Sequence, residues 1–278
     1  MLSRRAVLAA LGAAAVPLPA KVGQVEVGIC GQMADLEKAD QFGFDYFEPA
    51  VAALAALSDA DFADFAKRVA KSRIRCECFN GFIRTLTVTG SAVDNEALTK
   101  YMNGALDRCH TLGASIVVWG SASSRNVPEG FPREKAWQQM VTFLRMAAPM
   151  AKARDIVIAI EPLRKQESNI INSGAEAFRL VKEVGHPNVK MIIDYYHLQQ
   201  EQESPQILEE ARDAIVHLHF ANPNGRVWPK DPSEDPGYAP FFAMVKKTGF
   251  RGGLSIEGRG KYEDDAAASL AFFRKELA

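Results

Sequence analysis

Four residues, Glu161, Asp194, His219 and Glu257, stand out because each ends a short apolar run and because they lie 33, 25 and 38 residues apart. Glu161 shows the problem they pose. It follows Ile156, Val157, Ile158, Ala159 and Ile160 in "IVIAIEPLRKQE", a run of the kind found in strands covered on both faces. A carboxylate at the end of such a run needs a partner, because an unpaired buried charge is costly. A salt bridge would serve for any one of these residues alone. Three carboxylates and an imidazole drawn to one place would repel one another, and a divalent cation among them removes the repulsion. Oxygen-rich ligation with a single imidazole suits Mn2+ or Mg2+, with Co2+ and Zn2+ as alternatives.

The order of elements is what would draw them together. Eight apolar, β-branched runs read as strands, at 25–30, 44–50, 74–80, 115–120, 156–162, 189–195, 215–221 and 253–258. Helical segments separate them. Ser58 is placed to cap "DADFADFAKRVAKS", Gly113 ends a stripe from Leu98 to Cys109, and Gly185 ends another through Phe178, Val181 and Val184. Ser204 and Pro205 read as the cap and first turn of a helix reaching Ile207, Leu208 and Ala211. Eight βα units predict an α/β fold, a single-domain (β/α)8 TIM barrel over residues 21–278. An open dinucleotide-binding sheet is disfavoured because "GICGQMADL" after the first strand lacks the G-x-G-x-x-G spacing. In a barrel the C-terminal strand ends converge on one mouth, and each separation above is about one βα unit.

On these residues the chain resembles the xylose-isomerase-like barrels, in the branch of hydroxypyruvate isomerases and ketose 3-epimerases such as D-tagatose 3-epimerase. "IEPLRKQE" is similar to that family's strand-five motif, "DYYHL" to its strand-six motif, "HLHFANPNGR" to strand seven and "SIEG" to strand eight. The resemblance implies metal ligands Glu161, Asp194, His219 and Glu257, and substrate contacts from Glu167, His197 and Arg226. It also implies a sugar isomerase or epimerase working through a metal-stabilised enediolate, with Glu161 and Glu257 as base and acid on opposite sides of a keto-sugar. His197 would polarise a substrate oxygen, and Glu167 would bond either His197 or a sugar hydroxyl.

Three other activities compete. The same proton abstraction followed by loss of a β-hydroxyl would make a lyase or dehydratase of a keto-sugar or inosose. Endonuclease IV shares the barrel and part of the metal site, but of five histidines only His197, His217 and His219 fall near strand ends. A non-catalytic sugar-binding barrel would keep the pocket without turnover. Among the remaining candidates, Trp119 is read either as a sugar-stacking platform or as packing, and Phe79 and Phe82 as core or pocket wall. Arg84 and Arg125 are read as solvated cations or anion contacts. His217 lies on the same side of its strand as His219, farther from the mouth. His110 and His186 are read as structural.

Composition narrows the partners. A chain of 278 residues, 47% apolar with a formal charge of −1, has no overall basic footprint for nucleic acid or an anionic membrane. The expected partner is a small sugar or hydroxy-keto molecule, with a homodimer left open. "MLSRRAVLAALGAAAVPLPAKVG" carries Arg4 and Arg5 before an apolar run and small residues near Ala20, the pattern of a secretory signal similar to the twin-arginine type over residues 1–20. This predicts a periplasmic or otherwise exported protein, an uncleaved membrane anchor being the alternative. Cys30, Cys76, Cys78 and Cys109 have no zinc-site spacing and read as small buried hydrophobes, Cys76 and Cys78 facing one way.

Overall fold

All eight expected strands are present in the computed structural model, which describes residues 25–278; the signal-like segment lies outside the described residues. They are β1 (Glu26–Gly31), β2 (Tyr46–Pro49), β3 (Cys78–Phe79), β4 (Ile116–Trp119), β5 (Val157–Ile160), β6 (Val189–Asp194), β7 (Ile215–Phe220) and β8 (Gly253–Ile256). Every ladder is parallel, in the order β2-β1-β8-β7-β6-β5-β4-β3. Single bridges from Tyr46 to Arg75 and from Ala50 to Asn80 close β2 onto β3 and complete a (β/α)8 barrel. Among the described residues, no helix is long and apolar enough to cross a membrane.

The strands are apolar on both faces because helices cover the outside and side chains fill the inside. Tyr46, Cys78, Val118, Ala159 and Ile192 form the inner apolar cluster, while Ile29, Phe47, Phe79, Trp119, Ile160 and Phe220 belong to the layer beneath the helices. The Tyr46 ring fits inside only because two strands present glycine to it. A Cβ on Gly28 would lie 2.2 Å from the ring, and one on Gly253 2.6 Å from the hydroxyl.

Two irregularities decide which side chains face inward. Against β2 the third strand carries one extra residue, since the bridges Tyr46↔Arg75 and Ala50↔Asn80 span four steps on β2 and five on β3, a bulge that breaks the alternation. Cys76 therefore packs in the outer layer and Cys78 inside, rather than both on one face. At β7 the register against β6 moves from Met191↔Ile215 to Ile192↔His217, so β7 carries one extra residue and His217 and His219 turn inward.

The helix signals also took shape. Ser58 accepts the Asp61 amide at the start of the helix Asp59–Lys71, and Gly185 closes Gly174–Val184 in the left-handed conformation. The helix expected from Ser204 is a single turn, Ile207–Glu210. Ser204 Oγ accepts the Gln206 amide in a local turn, which leaves the chain only one helical turn before β7.

Candidate metal centre and active site

Glu161, Asp194, His219 and Glu257 meet at the C-terminal mouth, one from each of β5 to β8, with a ligand atom of each within 4.8 Å of the others. Asp194 ends β6 and uses Oδ1 to accept the Tyr196 amide at 2.7 Å. Its Oδ2 is buried and has no hydrogen-bond partner. An orphaned carboxylate oxygen beside three further donors is the arrangement a cation would satisfy, and three carboxylates with one imidazole fit a hard divalent ion. Glu161, Asp194, His219 and Glu257 would hold it.

The charges support the same reading. Burial and then the Glu257 charge push the Asp194 carboxyl up to about 7, and burial and then Glu161 raise that of Glu257. Burial also acts on Glu161, but the bond from His219 and the charges of His219 and Arg226 outweigh it and leave that carboxyl below its ordinary value. Two cations already face the group. Arg226 donates to Glu257 Oε2 at 2.6 Å and to Glu167 Oε1 at 3.2 Å. Its left-handed backbone, φ 52°, closes the turn after β7, and its guanidinium lies over the Tyr196 ring. Arg125 is fully buried, not solvated, and donates to the backbone carbonyls of Trp119 and Glu161. Burial lowers its pKa to about 10, so it stays charged behind Glu161 at neutral pH.

His197 is buried beside Asp194, with Nε2 3.6 Å from Oδ2. The Arg164 amide donates to its Nδ1 at 3.2 Å, so the ring's own proton sits on Nε2, and burial brings its pKa down to about 3. Glu167 pairs with Arg164 and Arg226, not with His197. Trp119 is not a sugar platform. Its indole is fully buried in the outer layer, donates to Ser124 Oγ at 3.0 Å and packs on Phe143. Phe79 and Phe82 are likewise fully buried core. His110 bonds the Arg154 carbonyl and His186 accepts the Asn188 amide, and neither belongs to the cluster or the cavity lining.

Sequence reasoning missed two residues. Glu48, on β2, is completely buried beneath the cluster and bonds His217, His219 and Ser255. Its signal was present, since "FEP" at 47–49 repeats the strand-end Glu-Pro of "IEP" at 160–162. Gly120, just past β4, lies directly against the Glu161 carboxylate, where a Cβ would sit 1.6 Å from Oε2.

Above the cluster opens a cavity of about 810 Å³ whose lining includes Asn80, Ser121, Glu161, Glu167, Arg226 and Glu257. Its size is that of a small-molecule site. Glu161 and Glu257 reach this lining, whereas Asp194 and His219 do not.

The chain is 32% identical over 171 residues to 3-dehydro-D-guloside 4-epimerase of Escherichia coli, a match covering 58% of this chain and 64% of that protein. It is 27% identical over 202 residues to D-psicose 3-epimerase of Agrobacterium fabrum, covering 69% of this chain and 68% of the relative. A crystal structure of D-psicose 3-epimerase in the presence of D-fructose superposes with a TM-score of 0.80 at 21% identity, over 91% of this chain and 99% of that one, a likeness of fold. The model of the family described as the xylose isomerase-like TIM barrel matches residues 36–276, and the chain belongs to that family.

Proposed function

We propose that the chain is a divalent-metal-dependent epimerase or isomerase of keto-sugars, working by reversible removal of a proton from the carbon beside a carbonyl. The observation that carries this reading is that, of the four clustered residues, the two facing the cavity are both glutamates. A bound Mn2+ or Mg2+, or in their place Co2+ or Zn2+, would polarise the carbonyl and lower the energy of the enediolate. Glu161 and Glu257 reach the cavity from β5 and β8, with β6 and β7 between them, and serve as proton acceptor and donor. His197, neutral and protonated on Nε2, offers a donor to a substrate oxygen. Arg226 and Glu167, already paired, hold sugar hydroxyls at the far side of the cavity. The names of the relatives, epimerases of 3-dehydro-D-guloside and D-psicose, support a keto-sugar or keto-glycoside as substrate.

Protein loaded with Mn2+ or Mg2+ and incubated in D2O with 3-dehydro-glycosides, ketohexoses and hydroxypyruvate is expected to yield an epimer or isomer. The epimer should carry deuterium at the inverted carbon, and chelation should stop the reaction. A product lighter by one water would replace this reading with elimination. Binding without deuterium exchange would reduce the chain to a sugar-binding barrel.

Export through the twin-arginine route belongs to the same proposal. Replacing Arg4 and Arg5 together by Lys is expected to retain the protein in the cytoplasm. Unchanged periplasmic recovery after fractionation would rule that route out.

A further inference from the structure

Beneath the four clustered residues lies a second group that the proposed chemistry does not use, built from Glu48, His217, Ser255 and Tyr46. All four side chains are fully buried or nearly so. They face the barrel interior from β2, β7 and β8, and none is among the residues lining the cavity. Their protons can be assigned by counting donors. Ser255 Oγ lies 2.5 Å from Glu48 Oε2 and 2.8 Å from the Tyr46 hydroxyl. Ser255 has one proton, and the shorter contact with a carboxylate takes it, so Tyr46 donates to Ser255. His217 Nε2 lies 3.0 Å from Glu48 Oε2, and His219 Nε2 lies 2.9 Å from Oε1. A carboxylate only accepts, so both imidazoles carry a proton on Nε2.

For His219 the consequence reaches the mouth of the barrel. Its other nitrogen, Nδ1, faces Glu161 Oε1 at 3.0 Å and Glu257 Oε2 at 3.8 Å, toward the cluster, and by the same counting it donates to Glu161 until a cation takes that proton's place. We propose that Glu48 is a positioning residue, whose carboxylate holds the Nε2 proton and ring orientation of His219 and so reserves Nδ1 as the imidazole ligand of a divalent cation. The inference rests on the metal reading above. It assigns the job often done for ligating histidines by a carboxylate on the opposite ring nitrogen. The β7 bulge is part of the same device, since it turns His219 inward above Glu48.

Glu48→Gln is a discriminating change because an amide has one accepting oxygen and one donating nitrogen. If the nitrogen faces His219, two N–H groups collide unless the proton moves to Nδ1, which removes the ligand lone pair. Turned the other way the nitrogen would meet two donors, His217 Nε2 and the Ser255 hydroxyl, so the amide oxygen is expected on that side and the nitrogen against His219. Ser255→Ala is the control, since it removes a donor to Glu48 and leaves the His219 bond in place.

Mn2+ titration followed by the electron paramagnetic resonance of free ion is expected to show affinity about 10–100-fold weaker for Glu48→Gln and within about threefold of wild type for Ser255→Ala. Nitrogen-15 spectra of histidine-labelled, Mg2+-loaded wild type should show the His219 proton on Nε2. A folded Glu48→Gln protein with wild-type Mn2+ affinity would overturn the assignment. So would a wild-type spectrum with the proton on Nδ1, which needs no variant to fold. Wild-type protein that binds no Mn2+ at all would defeat the metal reading instead.

Discussion

Glu257→Gln, loaded with saturating Mn2+, is expected to lower kcat by about 10²–10⁴-fold, the range associated with removing a positioned proton-transfer group. The residue is suited to this test because its side chain retains 26% exposure into the cavity, while that of Glu161 retains 7%. Both are also candidate ligands, so metal affinity must be measured beside turnover and the comparison made at saturation. Exchange separates the two roles. If Glu161 and Glu257 serve opposite sides of the bound sugar, Glu257→Gln should still wash deuterium into one epimer while converting neither, and Glu161→Gln should do so with the other epimer. If a single glutamate moves the proton both ways, one variant will lose exchange with both epimers and the other will lose little beyond metal affinity. Wild-type turnover in metal-saturated Glu257→Gln would remove it from the chemistry altogether.

The four clustered residues were legible because charge at the end of an apolar run is a strong signal and the barrel's topology brings strand ends together. Trp119 was not, and the reason is general to parallel barrels. With both faces of β4 apolar, alternation alone does not say which residues point inward. The register settles it: Trp119 pairs with Ile160 and both face the helices, which places Gly120 beside Glu161 on the inner face. Glu48 stayed hidden because β2 is short and Asp45 stands just before it, so its glutamate does not end a long apolar run as Glu161 does. The β3 and β7 bulges have no local sequence signature. They reversed the expected common face of Cys76 and Cys78, whereas at β7 the inward aim of both histidines matched the simple two-residue spacing. Arg125 escaped for a different reason, because nothing in "SSRN" indicates that a short helix will fold its guanidinium into the core.

Gly120→Ala should damage the site nearly as much as removing a ligand, although it adds only one methyl group. The new carbon would sit 1.6 Å from Glu161 Oε2, 2.7 Å from Cδ and 3.2 Å from Cβ, so the carboxylate cannot keep its place. The Glu161 side chain is confined, with Arg125 bonded to its backbone carbonyl below and His219 at 3.0 Å from Oε1, leaving rotation toward the cavity as the way out. That movement takes one oxygen out of the cluster and leaves His219 Nδ1 without its partner. Gly120 is not in the left-handed region, so alanine adds no backbone strain and the effect belongs to the displaced carboxylate. Mn2+ affinity is expected to fall by about a hundredfold or more, at or beyond the upper end of what outer-shell changes produce. Gly104→Ala provides the contrast, because that exposed glycine lies within the helix Asn95–Thr111 with nothing near its missing Cβ. It should gain about 0.5–1 kcal/mol of stability and leave metal binding unchanged. Calorimetric titration of the two variants side by side decides the matter: equal affinities would mean that Glu161 does not need the space beside Gly120, and its place in the cation site would then be wrong.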